Sequence, residues 1–361
     1  MPSNSKIGIF RAVNFHLRHS EERMRQQFNK AAACINDLFM TMSDYDVRFH
    51  FDPISLDDCR CEVMSKNEVN LLCTMKDFPM QSCILQGDVT SGAVMIRIAD
   101  HYTTRPDMAS WEDIITVDPT MGRCLSTTKL LNSLFDVIQR SILEMSQENQ
   151  QRSITCRSWP DQISLFVRLD PSTRFRVHLL PMIRMRRSME PFRKLDKKIQ
   201  SVFKCFHLPD ANVDTISLVA KPNCTDQQLL WRITFNDVEN RIFNNPQFLC
   251  AKHCLYILDR LCARVCQSWE TRGRLLRYHL QTILLVEFKT RPQPKYWTPE
   301  KFRSRLKDVV TSLCESLRAK KCLNVFTDVN VFSHFDTDNL KLLAGKLSKF
   351  KADQAVISSL F

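Results

Sequence analysis

At 361 residues, 44% of them hydrophobic and 25% charged, the chain has the composition of a globular protein with room for two lobes and a sizeable buried core. Only six residues are glycine, and no Gly-x-Gly-x-x-Gly or Walker-type loop is present, which removes the common backbone cradles for nucleotide phosphates. The formal charge of +12, from 51 basic and 39 acidic residues, favours anionic partners such as nucleic acid, nucleotides or acidic proteins.

Residues 7–42 carry Ile9, Val13, Leu17, Met24, Phe28, Ala31, Ile35, Leu38 and Phe39 at three- and four-residue spacing, which predicts one long helix ending at Ser43-Asp44. A strand pattern follows over 61–75. Near its end Val69, Leu71, Cys73 and Met75 share one face, and Glu68, Asn70 and Thr74 share the other. Residues 92–98 form a further strand pattern, and 126–146 a helix built on Leu130, Leu131, Leu134, Val137, Ile138 and Ile142. Residues 163–183 predict a hairpin around Asp170-Pro171-Ser172-Thr173. In its second strand Phe175, Val177 and Leu179 oppose Arg174, Arg176 and His178. After Trp231 the pattern turns helical, over 235–243, 247–268, 273–290, 299–321 and 336–350.

No apolar run approaches the roughly 18 residues that a membrane span needs. Lys6, Arg11, Arg18 and Arg23 interrupt any apolar leader, so neither membrane insertion nor secretion is expected, and the cytosol or nucleus is. In those compartments the 15 cysteines are reduced, mostly buried thiols. Cys250, His253 and Cys254 lie close together, with Cys262 and Cys266 beyond. Helical spacing brings only pairs together, and the packed-face reading of these residues outweighs zinc. Basic residues concentrate at Arg184, Arg186, Arg187, Arg193, Lys194, Lys197, Lys198 and Lys204. This segment is either a solvated face or a patch for an anionic partner. Arg11, Arg18, Arg25 and Lys30 on the first helix offer the same two readings.

Metal-dependent nucleotidyl transfer needs two or three carboxylates on adjacent strands to hold the cations that clamp a triphosphate. Two such acids sit at i and i+2 of one strand, and here that spacing falls on Glu68 and Asn70. The third position, on the hairpin strand, falls on His178. An amide is neutral and an imidazole is a borderline ligand, so one carboxylate remains where three are needed.

Several segments carry a family resemblance. Leu230-Trp231-Arg232-Ile233-Thr234-Phe235 with Glu239, Cys250-Ala251-Lys252-His253-Cys254-Leu255, Tyr278-His279-Leu280-Gln281-Thr282, Trp297, Leu317 to Cys322, and Asn330-Val331-Phe332 resemble, in order and spacing, the Mab-21-like family, which includes cyclic GMP-AMP synthase. The N-terminal half resembles it through the long helix, Asn67-Glu68-Val69-Asn70 and the 163–183 hairpin. The resemblance implies an α+β fold: a nucleotidyltransferase-like mixed sheet with a long N-terminal spine helix over 1–228, then an all-helical C-terminal lobe over 229–361.

The resemblance also implies site roles. The Gly-Ser loop of active members falls on Ser55-Leu56, and their acids fall on Glu68, Asn70 and His178. A lysine that contacts triphosphate falls on Asp259, a charge reversal, and a serine beside it falls on Arg277. An arginine and a base-stacking tyrosine of the synthase cleft fall on Arg232 and Tyr278, which are either nucleotide-binding or part of the scaffold. The synthase's zinc insertion has no counterpart ahead of Cys250.

The expectation is therefore a non-catalytic protein with a degenerate nucleotidyltransferase site and no cofactor, acting by binding a protein or an anionic ligand. The resemblance adds a role in development. Two alternatives stay open. One is a diverged metal-dependent nucleotidyltransferase that uses magnesium or manganese, with Glu68 joined by Asp57, Asp58 or Glu62. The other is a nucleic-acid-binding module using the first helix and the 184–204 patch.

Overall fold

The computed structural model describes residues 3–55, 60–65, 67–76, 78–99, 106–148, 154–159, 162–190, 192–206, 215–220, 228–265, 275–350 and 354–360. Its contacts group into two compact units. One comprises 1–22, 197–210 and 238–361; the other comprises 23–196 and 211–237. The boundary expected between 228 and 229 falls within the 211–237 stretch.

Helix α1 (Ser3–Tyr45) runs a few residues beyond the expected 7–42 at both ends. Its apolar spacing buries Val13, Leu17, Met24, Phe28, Ala31, Ile35, Leu38 and Met42 on one side. Asp46 follows, its side chain accepting from the Arg48 N–H and capping the short turn that redirects the chain.

Among the described residues, the unit of 23–196 and 211–237 is built on an 11-stranded sheet. Its first elements are β1 (Cys61–Ser65), β2 (Glu68–Thr74), β3 (Cys83–Gln86), β4 (Ala93–Ile98), α2 (Pro106–Ala109), β5 (Ile115–Asp118), β6 (Gly122–Leu125) and α3 (Thr127–Glu148). Then come β7 (Ile154–Trp159), β8 (Gln162–Arg168), β9 (Arg174–Arg186), the start of α4 (Arg193–Cys205), which from Lys197 onward belongs to the other unit, β10 (Thr215–Val219) and β11 (Leu230–Thr234). The strand pattern over 61–75 is two antiparallel strands that turn beside Asn67.

The long strand β9 organises the sheet. Its first half pairs parallel with β2 and antiparallel with β8, and its second half pairs with β10. The order continues through β11 and β4 to β6 and β5. The alternation read from the sequence holds, since Phe175, Val177 and Leu179 are fully buried while Arg174 and Arg176 are exposed. Phe28 of α1 meets Phe175 edge-on, with ring centroids 6.1 Å apart, which sets the inward face of β9 against the helix.

The resemblance places Leu230–Thr234 at the opening of the helical lobe, and the structure corrects this. The run is strand β11, held between β10 and β4. Trp231 and Ile233 alternate into the core, and the Trp231 indole N–H donates to the Leu125 carbonyl at 3.2 Å.

The other unit is helical, as expected. It holds α5 (Asn236–Asn244), of which Val238 onward belongs here, α6 (Leu249–Val265), α7 (Arg277–Thr290), α8 (Phe302–Arg318), α9 (Thr337–Leu347) and α10 (Gln354–Ser358). Its core includes an aromatic cluster in which Phe288 meets Phe206, Phe243, Phe248 and Trp297. Phe203 and Phe206 are buried, which accounts for two apolar residues of the otherwise basic 184–206 segment.

Candidate functional site: a polar row across the sheet

Pairing places Glu62, Asn70, His178 and Ser164 in one row across β1, β2, β9 and β8, because each is the direct register partner of the next. Direct partners share a sheet face, so all four side chains lie on the same side. Glu68 and Arg176 form the adjoining row. The three positions that the sequence marks as the eroded metal site therefore do come together.

Their interactions are internal. His178 Nε2 lies 2.8 Å from Glu68 Oε1, and His178 Nδ1 lies 2.8 Å from the Ser164 hydroxyl. The bond with His178 holds the Glu68 carboxyl below its ordinary value of 4.5, with the positive charge of Arg176 adding to it. An ionised carboxylate only accepts, so Nε2 carries a proton toward Glu68, while Nδ1 shares its hydrogen bond with the Ser164 hydroxyl. The Arg176 guanidinium donates to the same Glu68 oxygen at 3.2 Å. Asn70 donates through Nδ2 to Glu62 Oε2 at 2.9 Å, and its Nδ2 lies 3.2 Å from Met64 Sδ. Ser164, His178 and Asn70 are buried, and Glu68 is half-buried.

A divalent cation does not suit this donor set. The reachable oxygen of Glu68 already meets an imidazole and a guanidinium, and the neighbouring amide presents its NH2 group to Glu62. Magnesium and manganese want several anionic oxygens converging. Among the described residues no group of three or more His, Cys, Asp or Glu side chains is placed to hold a metal ion. Asp57 and Asp58 lie outside the described residues, as does Leu56 of the expected Gly-Ser loop position.

Ser164 and the Glu62–Asn70 contact were not singled out as site features from the sequence, although Glu62 was a candidate acid. The signal was available in the turn. Counting outward from Asp170–Thr173 pairs Arg168 with Arg174 and, four residues on, Ser164 with His178.

Arg232 is half-buried on β11, opposite Val219 of β10 and Ala93 of β4. Val219 in turn pairs with Met182, which lies an even number of residues along β9 from His178. Arg232 thus shares the sheet face of the polar row, and buried Leu72, Leu180, Met182 and Val219 form an apolar cluster between them. Tyr278 belongs to the helical unit, where its hydroxyl accepts from Asn324 Nδ2 at 2.9 Å. Asp259 and Arg277, both half-buried, lie on α6 and α7 of that unit.

The basic segment is largely compensated. Arg184 faces Asp237 at 4.0 Å, Arg187 pairs with Asp196 at 2.6 Å, and Arg193 with Glu190 at 3.2 Å. In the other unit Lys198 pairs with Asp328 at 2.5 Å. Arg186, Lys194 and Lys197 are exposed, with no ion pair described for them. In the Cys250 region, His253 Nδ1 donates to the Leu249 carbonyl at 2.8 Å and Nε2 meets Asn14 at 3.0 Å, so both ring nitrogens are taken. Cys266 lies outside the described residues.

A concavity of about 390 Å³ lies elsewhere in the sheet unit, lined among others by Tyr45, Asp46, Asp113, Lys129 and Asp136. None of Glu68, Asn70 or His178 lines it. Asp46 and Asp113 are both bound to Arg48, so both carboxylates are already engaged within the fold. The polar row remains the better-founded site.

Among the described residues no helix is long and apolar enough to cross a membrane. Comparison with known proteins agrees with the fold. Residues 60–245 match the family description "Mab-21 protein nucleotidyltransferase domain", and residues 250–349 match "Mab-21 protein HhH/H2TH-like domain". The chain is similar to a "Protein mab-21-like" of Anopheles gambiae, 31% identical over 97 residues, and to one of Aedes aegypti, 29% identical over 97 residues. Each alignment covers 27% of this chain and 25% of the relative. A mixed sheet entered by a long helix, followed by a helical region, together with these matches over most of its length, makes the chain a member of the Mab-21 family with a nucleotidyltransferase fold.

Proposed function

We propose that this chain is a non-catalytic Mab-21 protein that acts by binding a protein or anionic partner, with the catalytic positions of the fold turned to structural use. The observation that carries the reading is the bond between His178 and the one remaining acid, Glu68, backed on the other side by Ser164. A buried imidazole wedged between carboxylate and hydroxyl ties β2, β9 and β8 together. In the place of a metal bridge it supplies a fixed polar link. Residence in the cytosol or nucleus belongs to the same proposal, as does a developmental role, which rests on the family alone.

The test is incubation of the purified chain with magnesium or manganese, all four nucleoside triphosphates, and RNA or DNA. No new nucleotide product is expected. A product formed by the wild type and abolished in Glu68→Ala overturns the proposal.

The second reading, a diverged metal-dependent nucleotidyltransferase, draws on Glu62, whose carboxylate reaches Asn70 on the face that carries Glu68. It requires manganese-dependent triphosphate binding, with Arg232 or Tyr278 as the nucleotide contact. Calorimetry that detects no heat on mixing triphosphate and manganese with the protein removes its basis.

A further inference from the structure

The face that carries the polar row extends past it, and there its character changes. Toward the free edge of the sheet, Arg157 of β7, Arg168 of β8, and Arg174 and Arg176 of β9 are all exposed. Register places them on one side. Arg157 pairs with Ser164, Phe166 with Arg176, and Arg168 with Arg174. Phe166 lies between two guanidinium groups, with Arg176 5.0 Å and Arg157 5.6 Å from its ring centroid. Trp159, one residue pair further along β7, is 50% exposed.

Two features set this face apart from an ordinary solvated surface. Arg168 and Arg174 are direct cross-strand partners, an arrangement that costs stability because like charges oppose each other. Neither they nor Arg157 meets an acidic partner among the described residues, whereas Arg184, Arg187 and Arg193 of the basic segment do. The carboxylate at the connecting turn, Asp170, accepts from the Ser172 and Thr173 backbone N–H groups and the Ser172 hydroxyl, so it is committed to the turn. The second feature is the interleaving of aromatic rings with the guanidinium groups. An acidic peptide calls for the charges alone. Flat rings and guanidinium planes on an open sheet suit unstacked bases, with arginines reaching the phosphates between them.

We propose that this face, formed by Arg157, Phe166, Arg168, Arg174, Arg176 and Trp159, is a docking surface for single-stranded nucleic acid. It rests on the binding function proposed above, naming its anionic partner, and holds whether or not the Glu68 site has any activity.

The test uses the full chain and a fluorescein-labelled single-stranded 12-nucleotide RNA of mixed sequence, read by anisotropy over a series of salt concentrations. Wild type is expected to bind, with affinity falling as salt rises. Replacing Arg157, Arg168 and Arg174 together by Gln is expected to weaken binding at least tenfold. It should also flatten the log–log salt slope by about 2, from roughly 0.7 per phosphate contact on a single strand. Trp159→Ala, which leaves every charge in place, is expected to weaken binding several-fold with the slope unchanged. Thermal unfolding checks that each variant is folded. If the triple variant does not fold, Arg168→Gln and Arg174→Gln are read singly, and each relieves the like-charge pair.

Unchanged affinity and slope in the arginine variants overturns the assignment. So does loss of binding in Arg186→Gln with Lys194→Gln while the arginine variants retain it. Polyglutamate of equal charge that competes as well as unlabelled RNA, with Trp159→Ala without effect, assigns the face to acidic protein instead and overturns the nucleic-acid proposal.

Discussion

The two units bury histidines in opposite ways. In the sheet, His178 is placed between an ionised carboxylate and a hydroxyl, and its burial holds strands together through polar bonds. Among the helices, His279 is enclosed by Phe332 and Phe335, with Nδ1 accepting from the Leu276 N–H at 2.9 Å. Burial, with the nearby His334, pushes its pKa down to about 4. His253 is likewise lowered by burial while bonded to a carbonyl and to Asn14. The difference teaches that imidazole identity alone carries no function. A carboxylate on the adjacent strand makes the ring a link in a polar row, and a surround of rings and carbonyls makes it a neutral core residue.

The largest expected effect breaks the helical side of the comparison. Phe288→Ala removes the ring at the centre of the Phe206, Phe243, Phe248 and Trp297 cluster. It should cost about 3–5 kcal/mol, measured by urea or thermal unfolding. The second effect sharpens the comparison by pH. A histidine with a folded pKa depressed to about 4 stabilises the fold fully above its ordinary value of 6.5. That contribution is lost as pH falls from 6.5 toward 4, because the unfolded chain takes up a proton that the folded ring refuses. For His279 the loss amounts to about 3 kcal/mol. Chemical denaturation at stepped pH should show the decline in wild type and a shallower one in His279→Asn.

A smaller effect tests the sheet. His178→Ala leaves Glu68 with Arg176 and Ser164 without its partner, so a loss of about 1–3 kcal/mol is expected. A change indistinguishable from zero would mean that the row does not tie the strands. The smallest effect is Glu68→Gln, at about 1 kcal/mol or less. Because Glu68 has a lowered carboxyl pKa, its contribution is present above 4.5 and disappears as pH falls below that value. The difference in Tm between wild type and Glu68→Gln should therefore exist at neutral pH and close in acid. A difference that persists in acid assigns the effect to packing rather than charge.

Much of this was visible in the chain before folding. The long first helix, the hairpin at Asp170–Thr173, and the alternation of Phe175, Val177 and Leu179 follow from periodicity and turn chemistry, which act over a few residues. The residue types at Glu68, Asn70 and His178 were equally legible, since they are read directly at fixed spacing. Less visible were the splitting of 61–75 into two strands and the enrolment of Leu230–Thr234 in the sheet. An isolated five-residue alternating run does not declare whether a sheet has a place for it.

The sequence by itself determined which side chains are available: one acid where a metal needs several, an amide, an imidazole and a surplus of arginine. Only the tertiary structure decided their companions. Register set Ser164 behind His178, Glu62 against Asn70, and Arg168 opposite Arg174. The reason is that strand pairing is a contact between distant segments, fixed by which faces can be buried together, and a shift of one residue would turn every one of these side chains to the other side.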